Sequence, residues 1–289
     1  MRAGKVAGVN VIFNNWFLLI VLIFILAGMT DKVCLVFSAV LWHEAAHLLT
    51  AKVLGYQVRE VEVLPFGAVA RVENLSEASS FNEIMIAAAG PLASFGLAAL
   101  SYLGMKEFIF WRAALFFYCQ VNLMLAGFNL IPALPLDGGR ILRAFLSHKI
   151  SYREATRAVV FLGYGIIALL MLWALLEYWR NNSLNLTVLV AAIFLYINSK
   201  TELKTAPFRL MRLMSGKKAA LAAKNIMPTS HFTALASLPL GEAIRLFKSE
   251  EYNMVLVLDK DLNWQTTLTE TQIWEALTEK GVAAKIGDV

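Results

Sequence analysis

The side chains best suited to chemistry are His43, Glu44 and His47, which form the pattern H-E-x-x-H inside an apolar segment. Residues four apart share one face of a helix, so both imidazoles can bind one Zn²⁺ while Glu44 lies beside them as a base. The surrounding run, 33–54, is almost entirely apolar, and ionisable groups at membrane depth are costly unless they serve a site. A shared metal ion accounts for three such groups within five residues.

A candidate third ligand, Asp137, lies in the segment 129–140, which contains two prolines and a glycine pair and therefore cannot continue a regular helix. Non-helical backbone at membrane depth is tolerated only where protein or a water-filled cavity surrounds it. Asp137 taken alone is typical of a helix N-cap. Beside two histidines, it is also the third protein ligand that a catalytic zinc ion requires. Glu83 and Glu107 begin spans that have no matching break, so the sequence favours Asp137.

The composition indicates an integral membrane protein with a soluble part attached. The chain has 289 residues, of which 58% are hydrophobic and 16% are charged, and its mean hydropathy is +0.62. The net charge is +5, but the basic residues flank apolar segments and form no stripe with interleaved aromatics, so we expect no direct binding to nucleic acid. Cys34 and Cys119 both lie in apolar segments and predict neither a disulfide framework nor a cysteine-based zinc site.

Six apolar segments have the length and composition of membrane spans. They cover residues 11–29, 33–54, 83–104, 108–130, 158–178 and 184–199. Basic residues gather before the first span, between the fourth and fifth, and after the last, and positive loops stay cytoplasmic. Six crossings then put both termini in the cytoplasm and bring His43, His47 and Asp137 to the cytoplasmic end of the bilayer.

Two further segments each have a structural and a functional interpretation. Residues 57–74 alternate β-branched and charged side chains around Pro65-Phe66-Gly67, which predicts a β-hairpin. This hairpin is either an ordinary interfacial loop or an exposed strand edge that holds an extended substrate. The small residues of 87–94 predict close helix packing in lipid.

The two site motifs together resemble the site-2 protease family of intramembrane zinc metalloproteases. They are His43-Glu44-Ala45-Ala46-His47 in an early span, and Asn129 to Pro132 with Pro135-Leu136-Asp137-Gly138-Gly139 after a later one. The compact layout, the hairpin and the C-terminal appendage resemble the branch typified by stage IV sporulation protein FB of endospore-forming bacteria.

This resemblance implies cleavage of a membrane-associated regulatory substrate in the bacterial cell membrane. In that branch the substrate is an inactive precursor of a sporulation sigma factor, and partner membrane proteins inhibit the protease. The resemblance also implies that Asn129 holds the substrate or the developing oxyanion. The alternative is that Asn129 caps the broken backbone.

The C-terminal part of the chain differs in composition. Residues 200–224 are basic, contain Pro207, and predict a linker that follows an anionic membrane surface. Residues 225–289 predict a soluble β-α-β unit that resembles a single cystathionine-β-synthase (CBS) repeat. Such repeats pair and commonly bind ATP or another adenine nucleotide, so one copy implies a homo-oligomer. Residues 263–267 depart from the CBS pattern, which has a glycine-containing strand entry at this place. The alternative that the 225–289 unit serves only in dimerisation or in holding the substrate stays open.

The predicted fold class is an α-helical polytopic membrane protein of about six transmembrane helices with a membrane-associated β-hairpin, plus a small soluble α/β CBS-like domain. The predicted domains are a metalloprotease domain at 1–199, a linker at 200–224 and the CBS-like domain at 225–289. The predicted activity is that of a metalloendopeptidase. His43, His47 and Asp137 would bind Zn²⁺, and Glu44 and Asn129 would act on the substrate.

Two other functional classes are compatible with parts of the pattern. A CBS-bearing membrane transporter also has polar residues in broken spans, but it usually shows internal repeats with breaks in matching positions, which this sequence lacks. A non-proteolytic zinc-binding membrane scaffold would keep the histidines but would not need Glu44, which is present.

Overall fold

The computed structural model describes residues 2–6, 9–64, 67–72, 79–183, 185–248 and 251–289. The backbone divides into two compact units, residues 1–142 and 143–289. The elements that begin in the first unit are β1 Arg2–Val6, β2 Val9–Phe13, α1 Asn15–Leu26, α2 Thr30–Val53, β3 Val58–Leu64, β4 Gly67–Val72, α3 Ser80–Glu107, a 3₁₀ turn Ile109–Trp111, α4 Arg112–Asn129 and α5 Asp137–Ser147.

A four-stranded sheet of order β1-β2-β3-β4 accompanies the helices of the first unit. Strands β1 and β2 are antiparallel, β2 and β3 are parallel, and β3 and β4 form an antiparallel hairpin. The hairpin predicted at 57–74 is therefore present in β3 and β4, while its turn residues Pro65 and Phe66 and its end at 73–74 lie outside the described residues. Strand β4 stands at one edge of this sheet.

Helix α3 packs against both α2 and α4. Ser79 is the N-cap of α3. Its hydroxyl accepts a hydrogen bond from the backbone N–H of Asn82 and so satisfies one of the free donors of the first turn. Pro91 lies inside α3, where its ring removes one helical hydrogen bond, and buried small residues line the side of the helix that faces its neighbours. The predicted close packing at 87–94 is thus observed.

The break predicted after the fourth span is also present. Helix α4 ends at Asn129, residues 130–136 are not helical, the Leu134–Pro135 peptide is cis, and α5 begins at Asp137. Two glycines at the start of α5 permit this turn. A Cβ atom at Gly138 would lie 2.2 Å from the Leu130 carbonyl oxygen, and one at Gly139 would lie 2.4 Å from the Ala133 carbonyl carbon. Because both obstacles are backbone atoms, a side chain at either position would push the segment out of shape.

Five helices are long and apolar enough to cross a membrane by length and composition: Thr30–Val53, Ser80–Glu107, Ile109–Asn129, Tyr152–Asn181 and Leu186–Thr205. Large apolar side chains such as Leu100, Phe110 and Trp179 are exposed on them, as expected for surfaces that face lipid. The protein is an integral membrane protein. The first predicted span, 11–29, is not one helix, since β2 runs to Phe13 and α1 has only 12 residues. The count of six spans stays a prediction.

The second unit begins within α5. Its further elements are α6 Tyr152–Asn181, α7 Leu186–Lys224, β5 Thr229–Leu235, α8 Leu240–Arg245, β6 Tyr252–Leu258, β7 Trp264–Thr269, α9 Glu270–Lys280 and a 3₁₀ turn Ile286–Asp288. Helices α6 and α7 pack against each other. The buried Arg143 side chain donates to the Glu202 carboxylate at 3.0 Å, and its guanidinium lies 5.1 Å from the centre of the Tyr152 ring.

The three strands near the C-terminus form a second sheet of order β5-β6-β7, with β5 and β6 parallel and β6 and β7 antiparallel. One face of this sheet is covered by α8 and α9 around a core that includes Phe247, Val255, Val257 and Ile273. Tyr152 of α6 belongs to the same core cluster. The predicted β-α-β arrangement is therefore present in β5, α8 and β6, with an added strand β7 between β6 and α9.

The segment 200–224 is helical, because α7 continues through it to Lys224, and its part as a linker between two domains stays a prediction. Lys217 in this helix is buried, and its ammonium donates to the carbonyl oxygens of Lys248 and Glu251 and to both carboxylate oxygens of Glu270. Asn253 completes the network, since its backbone and side-chain N–H groups donate to Glu270 at 2.9 and 2.7 Å. Lys217 therefore binds within the protein instead of facing an anionic surface.

Candidate metal centre

Three side chains of the first unit bring their polar atoms together at one buried point. His43 and His47 lie one turn apart on α2, and Asp137 begins α5. The two histidine Nε2 atoms are 3.2 Å apart, and each lies 3.2 Å from Oδ2 of Asp137. The sequence-predicted ligands thus meet across a separation of about ninety residues along the chain, which no local pattern could establish.

The triangle of atoms requires a proton or a metal cation at its centre. His47 Nδ1 lies 2.6 Å from the Ile86 carbonyl oxygen, and because a carbonyl only accepts, this nitrogen carries a proton. In the neutral ring Nε2 is then a lone-pair acceptor directed at a second imidazole and a carboxylate. Electron-rich atoms at this distance repel each other unless protons or a metal cation lie between them. These residues form the one group of potential metal ligands found among the described residues.

The donor set fits zinc. Two imidazole nitrogens and one carboxylate oxygen are a typical catalytic set, and tetrahedral zinc with bonds of about 2.0 Å separates its ligands by about 3.3 Å. The observed separations of 3.2 Å match that edge. Three protein ligands leave one position open, which distinguishes a catalytic arrangement from a closed structural one.

Helix α3 supplies the outer partners of both imidazoles. The backbone carbonyl of Ile86 accepts from His47 Nδ1, and the hydroxyl of Ser94 lies 2.9 Å from His43 Nδ1. Ser94 is completely buried. Partners on the far nitrogen set the orientation and tautomer of a metal-binding histidine, so α3 holds both rings with Nε2 toward Asp137.

Gly90 lies between these two partners on α3 and approaches the imidazoles directly. A Cβ atom there would be 2.2 Å from His47 Nε2 and 2.6 Å from His43 Nε2. The nitrogens that face Asp137 are therefore covered by bare backbone, and any side chain at this position would enter the space at the centre of the cluster.

Asp137 has a second ionic partner on its own helix. Arg140 places Nη1 3.6 Å from Oδ1 of Asp137, while Oδ2 faces the histidines. Burial alone would raise the pKa of the Asp137 carboxyl, but its hydrogen bonds with His43 and His47 and the nearby Arg140 guanidinium lower that pKa below its ordinary value. The carboxylate is ionised at neutral pH, as a metal ligand must be.

The two remaining predicted residues lie near this group in sequence. Glu44 is half-buried on α2 beside His43. Asn129 ends α4, and its side-chain amide donates to the Leu125 carbonyl oxygen of its own helix at 3.0 Å. This bond lies within the last turn of α4 and does not reach the broken segment 130–136, so both interpretations of Asn129 stay predictions; the amide retains a second hydrogen.

Sequence reasoning missed Ser94, Gly90 and Arg140. Gly90 and Ser94 were assigned to helix packing, and Arg140 to the basic residues that orient the protein. A signal was present, because Gly90 and Ser94 are four residues apart and therefore share a helix face, as His43 and His47 do. The sequence does not say which helix that face opposes.

The described residues form membrane-capable helices around a buried His-His-Asp group whose donor set fits a catalytic zinc ion, and known proteins with similar sequences include zinc metalloproteases. Residues 32–109 and 104–171 match the model of peptidase family M50. The zinc metalloprotease MJ0392 of Methanocaldococcus jannaschii is 32% identical over 212 residues, which are 70% of this chain and 60% of that protein. Stage IV sporulation protein FB of Bacillus subtilis is 26% identical over 151 residues, which are 52% of each chain.

The solved structure of a site-2 protease from Methanocaldococcus jannaschii superposes with a TM-score of 0.53 at 29% identity, covering 70% of this chain and 94% of that one. The protein belongs to peptidase family M50, the site-2 proteases, which confirms the resemblance drawn from the two motifs. The chain spans between 29% and 60% of the length of the curated relatives it matches.

Proposed function

We propose that this protein is an intramembrane zinc metalloprotease that cleaves a membrane-associated substrate near the cytoplasmic face. The observation that carries the proposal is the equilateral arrangement of His43 Nε2, His47 Nε2 and Asp137 Oδ2 at 3.2 Å. A zinc ion held by these atoms would supply Lewis acidity, polarising the scissile carbonyl and lowering the pKa of a coordinated water toward about 7.

Glu44 is the proposed general base. It follows His43 directly on α2 and is half-buried, so it lies at the edge of the cluster without being one of its three ligands. Its carboxylate would take a proton from the attacking water and return it to the leaving amine. A zinc-binding scaffold without hydrolytic activity would not need a base at this position.

Asn129 is proposed to contact the substrate through the amide hydrogen that is not donated to Leu125. Its position at the end of α4, seven residues before the break ends, supports this role. Strand β4 supports a second contact, because it lies at the sheet edge, where an extended substrate can add a strand by main-chain pairing.

A membrane-tethered precursor of a sporulation sigma factor is the proposed substrate, with inhibition by partner membrane proteins in the bacterial cell membrane. The support for this choice is the similarity to stage IV sporulation protein FB, which is 26% identical. Co-expression of this protein with a candidate sigma-factor precursor tests the proposed substrate class directly.

The C-terminal sheet is proposed to pair two chains, in the manner of CBS repeats. Its outer face is not covered by α8 or α9, and it exposes Leu235, Leu256 and Trp264 in neighbouring cross-strand rows. Apolar side chains in such rows favour burial against a second surface. Binding of ATP or another adenine nucleotide between paired units stays a prediction drawn from the resemblance.

Two variants test the proposed activity when each is co-expressed with a tethered precursor and the cut is mapped. Glu44→Gln should keep zinc but lose cleavage by several orders of magnitude, because the metal shell is intact and the base is gone. Asp137→Ala should lose both zinc and cleavage, because two imidazoles alone bind the metal weakly.

Zinc content is measured on the purified proteins by atomic absorption, and cleavage by the ratio of precursor to product. Full proteolysis by the Glu44→Gln variant would overturn the mechanism. Unchanged zinc in the Asp137→Ala variant would return that residue to the role of a helix cap.

A further inference from the structure

The partners that α3 offers to the two imidazoles differ in chemistry. Ile86 and Ser94 are eight residues apart, so they share one face of the helix, with Gly90 between them. The Ile86 carbonyl can only accept a hydrogen bond, so it determines that Nδ1 of His47 is protonated. The Ser94 hydroxyl can either donate or accept, so the protonation of His43 depends on which it does.

The neighbouring carboxylate makes this choice important. His43 Nε2 lies 3.2 Å from Oδ2 of Asp137, so a neutral His43 ring gains a hydrogen bond to a carboxylate when its proton is on Nε2. That tautomer has no lone pair on Nε2 and cannot bind a metal there. The tautomer that can bind has its proton on Nδ1, where it needs an acceptor, because His43 is buried and an unpaired N–H is costly.

We propose that Ser94 is a positioning residue whose oxygen accepts the Nδ1 proton of His43 and so keeps the Nε2 lone pair available to the metal. The proposal rests on the metal centre described above. The Ser94 side chain is fully buried and its oxygen lies 2.9 Å from Nδ1, a distance at which a hydroxyl orients the ring as well as selecting its tautomer.

The first test is metal affinity, measured on the full-length protein in detergent by competition between Zn²⁺ and a chromophoric chelator. Removing an outer hydrogen-bond partner of a metal-binding histidine typically weakens metal affinity by about 10- to 100-fold. Ser94→Ala should show a loss of that size. Ser94→Thr retains a hydroxyl on the same carbon and should restore the affinity.

The matched control is Ser101→Ala on the same helix. Ser101 is also buried, but its hydroxyl donates to the Leu97 carbonyl oxygen of its own helix at 2.7 Å. The Ser101→Ala variant also loses one buried hydroxyl and its hydrogen bond, but that bond does not involve an imidazole. Its metal affinity should therefore stay at the wild-type value. An equal loss of affinity in both alanine variants would overturn the proposal.

A second readout separates a tautomer effect from a loss of folding. The visible absorption of the Co²⁺-loaded protein reports ligand number and geometry, and it should change in Ser94→Ala but not in Ser101→Ala. Thermal unfolding of the metal-free proteins should be similar in the two. If Ser94→Ala and Ser94→Thr both lack a native unfolding transition without metal, Ser94 serves folding and the proposal is wrong.

Failure of this proposal is distinguishable from failure of the proposed function. If the wild-type protein binds neither Zn²⁺ nor Co²⁺, the metal centre itself is refuted. If the wild-type protein binds both and Ser94→Ala binds them equally well with an unchanged Co²⁺ spectrum, the metal centre stands and only the role of Ser94 is refuted.

Discussion

Gly90 is the residue at which helix packing and metal chemistry require the same space. Small residues at 87–94 allow α3 to approach α2, and that approach brings the α3 backbone against both imidazoles. The absence of a side chain at Gly90 leaves Nε2 of each histidine open toward Asp137. If Gly90 served only helix packing, its replacement by alanine would disturb the imidazoles less than this close approach indicates.

Gly90→Ala should therefore reduce zinc affinity by about tenfold or more, as displacement of the ligand rings does in other metal sites. The added Cβ would lie 2.2 Å from His47 Nε2, so one ring has to move. Chelator competition on the purified variant measures the change.

Gly96→Ala is the control on the same helix, because a Cβ there meets nothing within 4 Å. Alanine also has the higher helix propensity, so this variant should fold at least as well as the wild type and bind zinc equally. Equal zinc affinity in the two variants would show that the close approach at Gly90 does not matter to the metal.

Helix α7 connects to the region of the C-terminal sheet through a buried ion pair. The sequence predicted a basic linker at 200–224, and the structure continues the helix into the C-terminal part of its unit, where Lys217 is enclosed by α9 and by carbonyl oxygens. Burial lowers the pKa of the Lys217 ammonium, and the charge of Glu270 opposes that shift. The ion pair therefore joins α7 to α9 beside the C-terminal sheet.

Lys217→Ala should destabilise the C-terminal part by about 3–5 kcal/mol, because it leaves the Glu270 carboxylate buried without its cation. The change is measured by urea unfolding in a background whose other five tryptophans are replaced by phenylalanine, so that the fluorescence reports only Trp264 and Trp274. Metal binding at the first unit should not change.

Lys248→Ala provides the comparison for that measurement. Lys248 and Glu251 form an ion pair at 3.1 Å with both side chains about one-third exposed. Such pairs contribute about 0–1 kcal/mol, so this variant should unfold almost as the wild type does. A similar, small loss in both variants would mean that the Lys217 pair contributes no more than a surface contact.

The orientation of the whole molecule in the membrane depends on two features that the structure modifies. Three of the basic residues used to predict it, Arg140, Arg143 and Lys217, form internal ion pairs. Five helices qualify as spans by length and composition among the described residues, and an odd number of crossings would separate the termini. The placement of both termini in the cytoplasm therefore remains a prediction that depends on six spans.

Cysteine labelling decides between the two counts. Single cysteines at Arg2 and at Val289, introduced into a Cys34→Ser, Cys119→Ser background, should both resist a membrane-impermeant maleimide in intact cells and react after permeabilisation. Residues 11–29 would then cross the membrane despite the short α1. Labelling of one terminus in intact cells would contradict six crossings.

Much of this protein follows from local sequence, because the properties concerned depend on residues near one another in the chain. Apolar length predicts the long helices, the spacing of His43 and His47 places both imidazoles on one face, and the prolines and glycines of 129–140 end α4. Asp137 was reached by chemical elimination, since a catalytic zinc ion needs a third ligand.

Tertiary structure alone decided which surfaces meet. The roles of Gly90, Ser94 and Arg140 depend on α3 packing against α2 and on the position of α5, and these are contacts between residues far apart in sequence. The same holds for Lys217, whose basic neighbours predict a linker along an anionic membrane surface although its own side chain is enclosed. A sequence pattern specifies the face that a residue occupies, but only packing determines what that face touches.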